Sequence, residues 1–386
     1  EFGGGGGAWE HYMSLWAGLG IPVYHQLGNH DNTWDCGRPR VRQLHGSPFY
    51  SFEQAGIRFI GWDTASPQDP RPSIATEGLE WLKMLQFKIP PGQPVVFFCH
   101  HPLDGKEFAG AWERARLLDM LQRLNTVLVL VGHGHGVRAW QVEGLDMVMG
   151  GSTFGKRPGF GIVSIQGGVL RVCHQYADGK VVRLLEKTIP EGGPPVQLWP
   201  ELVMDGQVLR GGEQVRCSLS TRGTGAVVGA RWTIDGEQTG EMAPAGGRWG
   251  AFLETADLEP GAHVLRFEAT DATGRVASRT IQFWVDCGDT QLVSVARHSA
   301  SSRSGPAIAP DGRIYLGFAN GNVTCYAPGT GTALWTQGKA GAGIYGGFGV
   351  DAETGSIYCG GENGHLYAYA AENARCGDFD AGSPIY

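Results

Sequence analysis

The sequence predicts an α/β unit at the amino end followed by two all-β units, and three observations carry that prediction. Apolar runs of strand length alternate with helix-period stretches as far as Met149. Beyond it the pattern changes to hairpins, with Gly167-Gly168 between Gly161-Ile162-Val163-Ser164-Ile165 and Val169-Leu170-Arg171-Val172, and Asp178-Gly179 before Val181-Val182. Near the carboxyl end, Ile314-Tyr315, Gly321 and Tyr326 recur 43 residues later as Ile357-Tyr358, Gly364 and Tyr369, which is the spacing of a propeller blade.

Taken in order, Glu1-Phe2 and the five glycines Gly3 to Gly7 read as a linker or cloning scar (1–7), with neither strand nor signal-peptide character. Trp9, Tyr12, Met13, Trp16 and Leu19 recur at helical spacing, as do Leu79, Leu82 and Leu85, and Leu117, Leu118, Leu121 and Leu124. Three amphipathic helices follow from this. Between them Val23-Tyr24-His25-Gln26-Leu27, Arg58-Phe59-Ile60-Gly61-Trp62, Pro94 to Cys99 and Thr126 to Val131 are β-branched or aromatic runs, two or three of them buried on both faces. Glu191-Gly192-Gly193-Pro194-Pro195 is a linker by composition. From there to about Asp286, short alternating strands broken at Asp235-Gly236, Glu259-Pro260-Gly261 and Asp271-Ala272-Thr273-Gly274 read as a β-sandwich of immunoglobulin-like pattern. The expected units are 8–190, 191–290 and 291–386. Two blades cannot close a ring of roughly four to eight, and Ser383-Pro384-Ile385 resembles Ser304 to Ile308 at the head of the first blade. The chain therefore reads as an internal piece that stops as a third repeat begins.

Composition excludes several classes. Apolar residues make up 42%, with 12 Trp and 16 Phe, enough for a sizeable core and incompatible with a disordered chain. The 62 Gly and 21 Pro imply frequent turns. A formal charge of -7 argues against nucleic acid as a partner, and no apolar stretch approaches the ~18 to 20 residues of a membrane span. The 8 cysteines contain no CxxC pair and so form no metal knuckle, while Cys217 and Cys287 flank one segment across which they could pair.

Three apolar strands end in histidine-containing turns: Gly28-Asn29-His30-Asp31, Cys99-His100-His101-Pro102 and Gly132-His133-Gly134-His135. In an open α/β sheet the carboxyl ends of the strands converge on one crevice, so these turns can meet. Imidazoles with an amide oxygen suit zinc, iron or manganese. Asp63 and Asp104 are candidate carboxylates for such a site, and Lys156 and Arg157 could meet a phosphate. His25, His45 and His174 read as ordinary hydrogen-bonded histidines, and Cys99 as a small buried hydrophobe. No GxSxG elbow, phosphate loop or HExxH motif occurs, which removes serine-hydrolase, P-loop and zincin readings.

With GNHD, HHP and GHGH in that order, and with Phe49-Tyr50-Ser51-Phe52, Arg58 to Thr64 and Leu79-Glu80-Trp81-Leu82 between them, residues 8–190 resemble the calcineurin-like metallophosphoesterases. The resemblance implies a four-layer α/β (α+β) sandwich, here incomplete at its N-terminus, and a centre of one or two divalent transition-metal ions, Zn, Mn or Fe. By it Asn29, His100 and His133 would ligate the second metal and His135 the first, and His30 would protonate the leaving alcohol. His101 and Asp31 would lie nearest the substrate or support the ligands. The family's earlier Asp-x-His and Gly-Asp-x-x-Asp motifs find no match, because no aspartate precedes Gly28. The last repeats resemble pyrroloquinoline-quinone-type blades, with Asp311-Gly312-Arg313 leading to Thr330-Gly331-Thr332-Ala333-Leu334-Trp335, and imply a scaffold without bound quinone.

The function expected is metal-dependent hydrolysis of phosphate mono-, di- or triesters. The alternative is an impaired remnant acting as a binding or structural module through its sandwich and repeats. Unpaired sheet edges imply a homo-oligomer. Such appendages are common on exported bacterial enzymes, which favours a periplasmic or extracellular setting.

Overall fold

The computed structural model describes residues 7–33, 37–66, 69–104, 107–108, 111–189, 196–203, 205–222, 225–272, 274–288, 296, 298–338, 340, 342–371 and 375–380. The amino-terminal part contains α1 (Ala8–Ala17), α2 (Asn29–Thr33), α3 (Arg38–His45), β1 (Phe49–Gln54), β2 (Ile57–Trp62), β3 (Ala65–Ser66), β4 (Asp69–Pro72), α4 (Thr76–Gln86), β5 (Pro94–Cys99), α5 (Ala111–Arg123), β6 (Asn125–Val131), β7 (Val137–Val142), β8 (Leu145–Gly150), β9 (Gly159–Gln166), β10 (Val169–Tyr176) and β11 (Val181–Thr188). One six-stranded sheet runs β1-β2-β5-β6-β8-β7, parallel through β2, β5, β6 and β8 with antiparallel edges. Alternate residues of its central strands serve two cores. Val95, Phe97 and Val129 pack with Leu79, Leu82, Leu117, Leu118 and Leu121 of α4 and α5. Val96, Leu128 and Val148 face the second, three-stranded sheet β11-β10-β9 through Leu170 and Val172. Continuous apolar runs in β5 and β6 are thus explained by burial on both sides.

One expectation needs correction here. Val23 to Leu27 forms no strand; Tyr24 stacks on Phe52 at 3.4 Å and the Tyr50 hydroxyl donates to the His25 carbonyl at 2.7 Å, so side chains hold this segment in place of a ladder. Among the described residues, α4 and α5 cover one face of the six-stranded sheet and β9 to β11 the other. Helix α1 forms but buries no side chain, touching His25 through Tyr12 and Arg40 through Trp9, and Phe160 and Ile162 on β9 stay exposed.

Next come β12 (Gln197–Glu201), β13 (Val208–Arg210), β14 (Gln214–Arg222), β15 (Val227–Ile234), β16 (Gln238–Glu241), β17 (Ala243–Ala245), β18 (Arg248–Glu254), β19 (Gly261–Asp271) and β20 (Val276–Asp286). They form a four-stranded sheet β12-β14-β18-β17 and a five-stranded sheet β13-β20-β19-β15-β16 that share one core around Leu219, Leu253, Phe267 and Phe283. The possible Cys217–Cys287 pairing does not form: both are free thiols, Cys217 shut inside this core and Cys287 exposed beyond the end of β20.

The last part has β21 (Ala307–Ile308), β22 (Ile314–Gly317), β23 (Asn322–Tyr326) and β24 (Ala333–Gly338) in one antiparallel sheet, and β25 (Phe348–Val350), β26 (Ile357–Gly360), β27 (His365–Tyr369) and β28 (Arg375–Asp380) in another. Tyr315, Val323, Ile357 and Tyr369 fill a core common to the two. Gly321 and Gly364 take matching left-handed conformations, with φ of 82° and 83°.

Buried polar contacts tie the parts together. Asp119 on α5 accepts from the Ser278 hydroxyl and the Thr280 amide of β20, and Arg266 reaches both Asp119 and Glu143. Arg38 on α3 bonds Asp63 at 2.6 Å and the Tyr345 hydroxyl at 2.6 Å, Arg42 pairs with Glu362, and the Ser301 hydroxyl donates to Glu77 at 3.0 Å. Both Arg38 and Asp63 are buried, and burial opposes the charge on each, so the pair holds only as a pair. Arg38→Met strands the Asp63 carboxylate and should lower the unfolding free energy by about 3–5 kcal/mol in urea titration. A loss below about 1 kcal/mol would contradict this account.

Candidate metal centre

The site is assembled by strand register. Strands β5 and β6 are parallel neighbours, with Phe98 opposite Leu130, so the turns that follow them emerge side by side. The Gly132 amide locks them by donating to the His100 carbonyl at 2.8 Å. The third turn packs tightly onto the second: a Cβ placed on Gly28 would lie 2.9 Å from the His100 ring, a distance only glycine allows. Asp31 closes that turn, accepting from the Gly28 amide at 2.7 Å while its own amide bonds the Gly28 carbonyl at 3.2 Å. The GHGH turn holds two non-glycine residues in left-handed conformations, His133 at φ 62° and His135 at φ 54°, a kind of strain that gathers at functional sites.

The result is a triangle of potential ligand atoms. Asn29 Oδ1 lies 3.0 Å from His100 Nε2 and 3.3 Å from His133 Nδ1, and the two imidazole nitrogens are 3.2 Å apart. Two ligands held at about 2.1 Å from one ion stand roughly 3.0 to 3.4 Å apart in octahedral or tetrahedral geometry. The three spacings are therefore those of one face of a coordination shell. The chemistry of the donors agrees: an amide oxygen and two imidazoles offer lone pairs and no net charge, a set that borderline cations such as zinc, manganese and iron accept.

His133 Nε2 lies 2.9 Å from Glu107 Oε2, a contact that holds the ring with its Nδ1 turned toward Asn29 and His100. Burial, reinforced by the neighbouring His133, His135 and His30, lowers the His100 pKa to about 3. His101 joins the group, since His100, His101 and His133 each offer a ligand atom within 4.8 Å of the others. It is fully buried, its Nδ1 lies 2.8 Å from the Thr64 hydroxyl, and its Nε2 has no hydrogen-bond partner. Burial and the His100 and His133 charges lower its pKa to about 2.

The remaining candidates fall as follows. His30 is exposed beside Asn29, and its charge bears on both His100 and Asp31. His135 is exposed, packs edge-on against Phe154 at 4.9 Å, and does not join the three-histidine group. Asp63 is committed to Arg38 and the Ala65 amide, and Asp104 lies 3.9 Å from Arg138, so neither carboxylate completes the triangle. Arg157 stacks over Tyr176, and Lys156 is exposed. His25 and His45 are hydrogen-bonded as expected, with the His25 amide donating to His45 Nε2. His174 is not: packed against Gly151, Gly159 and the Tyr176 ring, it is buried with neither ring nitrogen bonded. Cys99 is a buried free thiol. Sequence reasoning missed Glu107 and Thr64. Glu107 sits in a loop with no fixed motif spacing, and the only signal was an acid within a few residues of HHP, which Asp104 shares.

Residues 2–137 match the family described as calcineurin-like phosphoesterase, so a metallophosphoesterase domain occupies this end of the chain. The family uses divalent metals, and the histidine group is a possible site for one. No curated protein matches the chain. Among solved structures, fibronectin(III)-like modules of Clostridium thermocellum CbhA are 16% identical over 23% of this chain and 94% of theirs, with a TM-score of 0.21. A modular endo-beta-1,4-mannanase from Cellulomonas fimi is 16% identical over 26% of this chain and 20% of its own, with a TM-score of 0.20. Vps29 from Entamoeba histolytica is 12% identical over 37% and 61%, with a TM-score of 0.20. The chain thus spans less than two thirds of the last two, and scores this low carry no argument. No described helix is long and apolar enough to cross a membrane.

Glu107→Gln removes the charge that orients His133 and should weaken zinc or manganese binding by roughly 10- to 100-fold in competition with a chelator. Unchanged affinity would remove Glu107 from the site. A pH dependence follows as well. The folded values near 3 and near 2 for His100 and His101 lie below the 6.5 of a free imidazole, so on acidification the unfolded chain takes up protons first. Their contribution to stability is complete above pH 6.5 and is lost as pH falls from there toward the folded values. In chelator, urea titrations at about pH 7.5 and about pH 5 should differ by about 2 kcal/mol per imidazole, and His101→Asn should reduce the difference.

Proposed function

We propose that the amino-terminal part of the chain, 8–190 by the expected boundaries, hydrolyses phosphate mono-, di- or triesters at the centre formed by Asn29, His100 and His133, with His135 and His30 at its rim. The observation that carries this reading is the triangle of potential ligand atoms, backed by Glu107. A zinc, manganese or iron ion held there would supply hydroxide at neutral pH and an electrophilic clamp on the phosphoryl oxygens. The chain's own residues do the rest. The Gly28–Asp31 turn keeps Asn29 Oδ1 inward, and Glu107 keeps His133 Nδ1 inward. The low basicity of His100 stops protons from competing for its nitrogen. His30, exposed and next to Asn29, is the proposed acid that passes a proton to the leaving alcohol oxygen. His101, buried against His100 and His133 with its Nε2 unpartnered, is proposed to act on the substrate side of the centre through those two rings, with Asp31 holding the turn beneath the substrate.

A second reading, an impaired remnant that serves as a binding or structural module, is favoured by one observation: among the described residues no carboxylate joins the three imidazoles. In either case residues 191–290 are proposed as an immunoglobulin-like sandwich, and 291–386 as two blades of a propeller acting as scaffold without quinone. A homo-oligomer is also proposed, since edge strand β9 exposes Phe160, Ile162 and Val163.

Hydrolysis of bis(p-nitrophenyl) phosphate with added manganese or zinc separates the two readings. The enzyme reading expects close to one metal per chain and a rate that falls roughly a hundredfold or more in His133→Ala. Equal rates for the two proteins, with metal well below one equivalent, would leave the binding module standing.

A further inference from the structure

A second cavity, of about 460 Å³, lies at the opposite end of the six-stranded sheet from the histidines. It opens where α4 ends and where β5 and β6 begin, and its far wall comes from β12 and β20. Its size is that of a small-molecule site. The walls are largely apolar, with Leu198 and Ile281 beside two aromatic rings that water reaches freely, Phe87 at 82% and Trp199 at 48% exposure. Exposed aromatic surface at the mouth of a concave site offers a flat ligand a stacking face.

The charges in the wall are unbalanced. Arg123, at the end of α5, and Arg279, on β20, both line the cavity and repel one another. The acid closest in effect to Arg123 is Asp119, which is already taken by the Ser278 hydroxyl, the Thr280 amide and Arg266. Asp205, the acid in the wall, accepts from the Gln282 amide at 2.9 Å. Neither arginine forms an ion pair among the described residues, and Arg123 Nη2 is shut away from water without a hydrogen-bond partner. The neutral polar groups are satisfied: Gln86 Nε2 donates to the Met120 carbonyl and Asn125 Nδ2 to the Gly92 carbonyl, each at 2.8 Å. Two guanidinium groups therefore face a wall with one carboxylate, an excess of positive charge. Burial and the nearby Arg279 pull the Arg123 pKa down to about 10, the direction expected of a cation without its counter-ion.

We propose that this cavity binds a small organic anion, a carboxylate or phosphate carried on a flat apolar body, with the acid group drawn between Arg123 and Arg279 and the body lying against Trp199 and Phe87. Guanidinium groups suit this task because their planar forks match both oxyanions. The ligand would bridge the phosphoesterase domain and the strands that follow it. The site is independent of the metal centre and of the activity proposed for it.

The probe is 2-naphthoate, with 2-naphthalenemethanol as its uncharged counterpart and inorganic phosphate as the bare anion, each titrated calorimetrically into the full chain. The expected result is saturable binding of one naphthoate per chain. Affinity should fall at least tenfold in Arg279→Met and in Trp199→Ala, fall less in Arg279→Lys, which keeps the charge without the fork, and be unaffected by His133→Ala. Naphthoate should exceed both the alcohol and phosphate in affinity. Equal affinity for the alcohol, unchanged binding in Arg123→Met/Arg279→Met, loss of binding in His133→Ala, or no saturable binding to the wild-type chain would each overturn the proposal. Thermal melts of every variant in the absence of probe identify any loss that comes from unfolding.

Discussion

The parallel pairing of β5 with β6 is the constraint on which the rest of the molecule depends. Two strands buried on both faces must be continuous apolar runs, and parallel neighbours must end at the same edge. That edge is where His100 and His133 begin their turns, and a single backbone bond from Gly132 to His100 fixes their offset. With the offset set, the imidazole nitrogens stand 3.2 Å apart, and the ring of His100 can be approached only by a residue without a side chain. Gly28 meets that demand and brings Asn29 with it. Strand topology thus becomes donor geometry, with no long-range side-chain network required.

The same rigidity is extended outward by buried polar ties. Asn32, on the short helix that begins at Asn29, and Arg38 both donate to the Ala65 carbonyl; Arg38 also pairs with Asp63 and continues to Tyr345 in the repeat sheets. On the other flank, Asp119 of α5 receives two donors from β20. A buried ion pair adds little net stability over an apolar contact, but it is demanding about geometry, because each charge is costly without its partner. Such contacts suit surfaces that must meet in one register. They also explain why Asp63, which sequence reasoning offered as a replacement carboxylate, is unavailable to a metal.

Much of this could be read in the sequence, and the limits have physical causes. Helices α4 and α5 and strands β2, β5 and β6 followed from periodicity because each has at least one face in a core. The apolar segment Val23 to Leu27 misled for the converse reason: its aromatic side chains stack on β1, so apolar character came from ring contacts without a ladder. The meeting of Asn29, His100 and His133 was legible because three motifs close three neighbouring turns. Glu107 was not, since a loop acid acts through where its backbone happens to run, and nothing in the local spelling separates it from Asp104. Thr64 and the unbonded His174 belong to the same class, where packing decides the partner and composition is silent.

The central claim is that Asn29, His100 and His133 form one face of a metal's coordination shell. X-ray absorption spectroscopy of the zinc-loaded chain tests it most directly. The account predicts a first shell of nitrogen and oxygen near 2.0–2.1 Å with outer-shell scattering from at least two imidazole rings, reduced by one ring in His100→Ala. A shell without imidazole scattering, or one unchanged in His100→Ala, would contradict it.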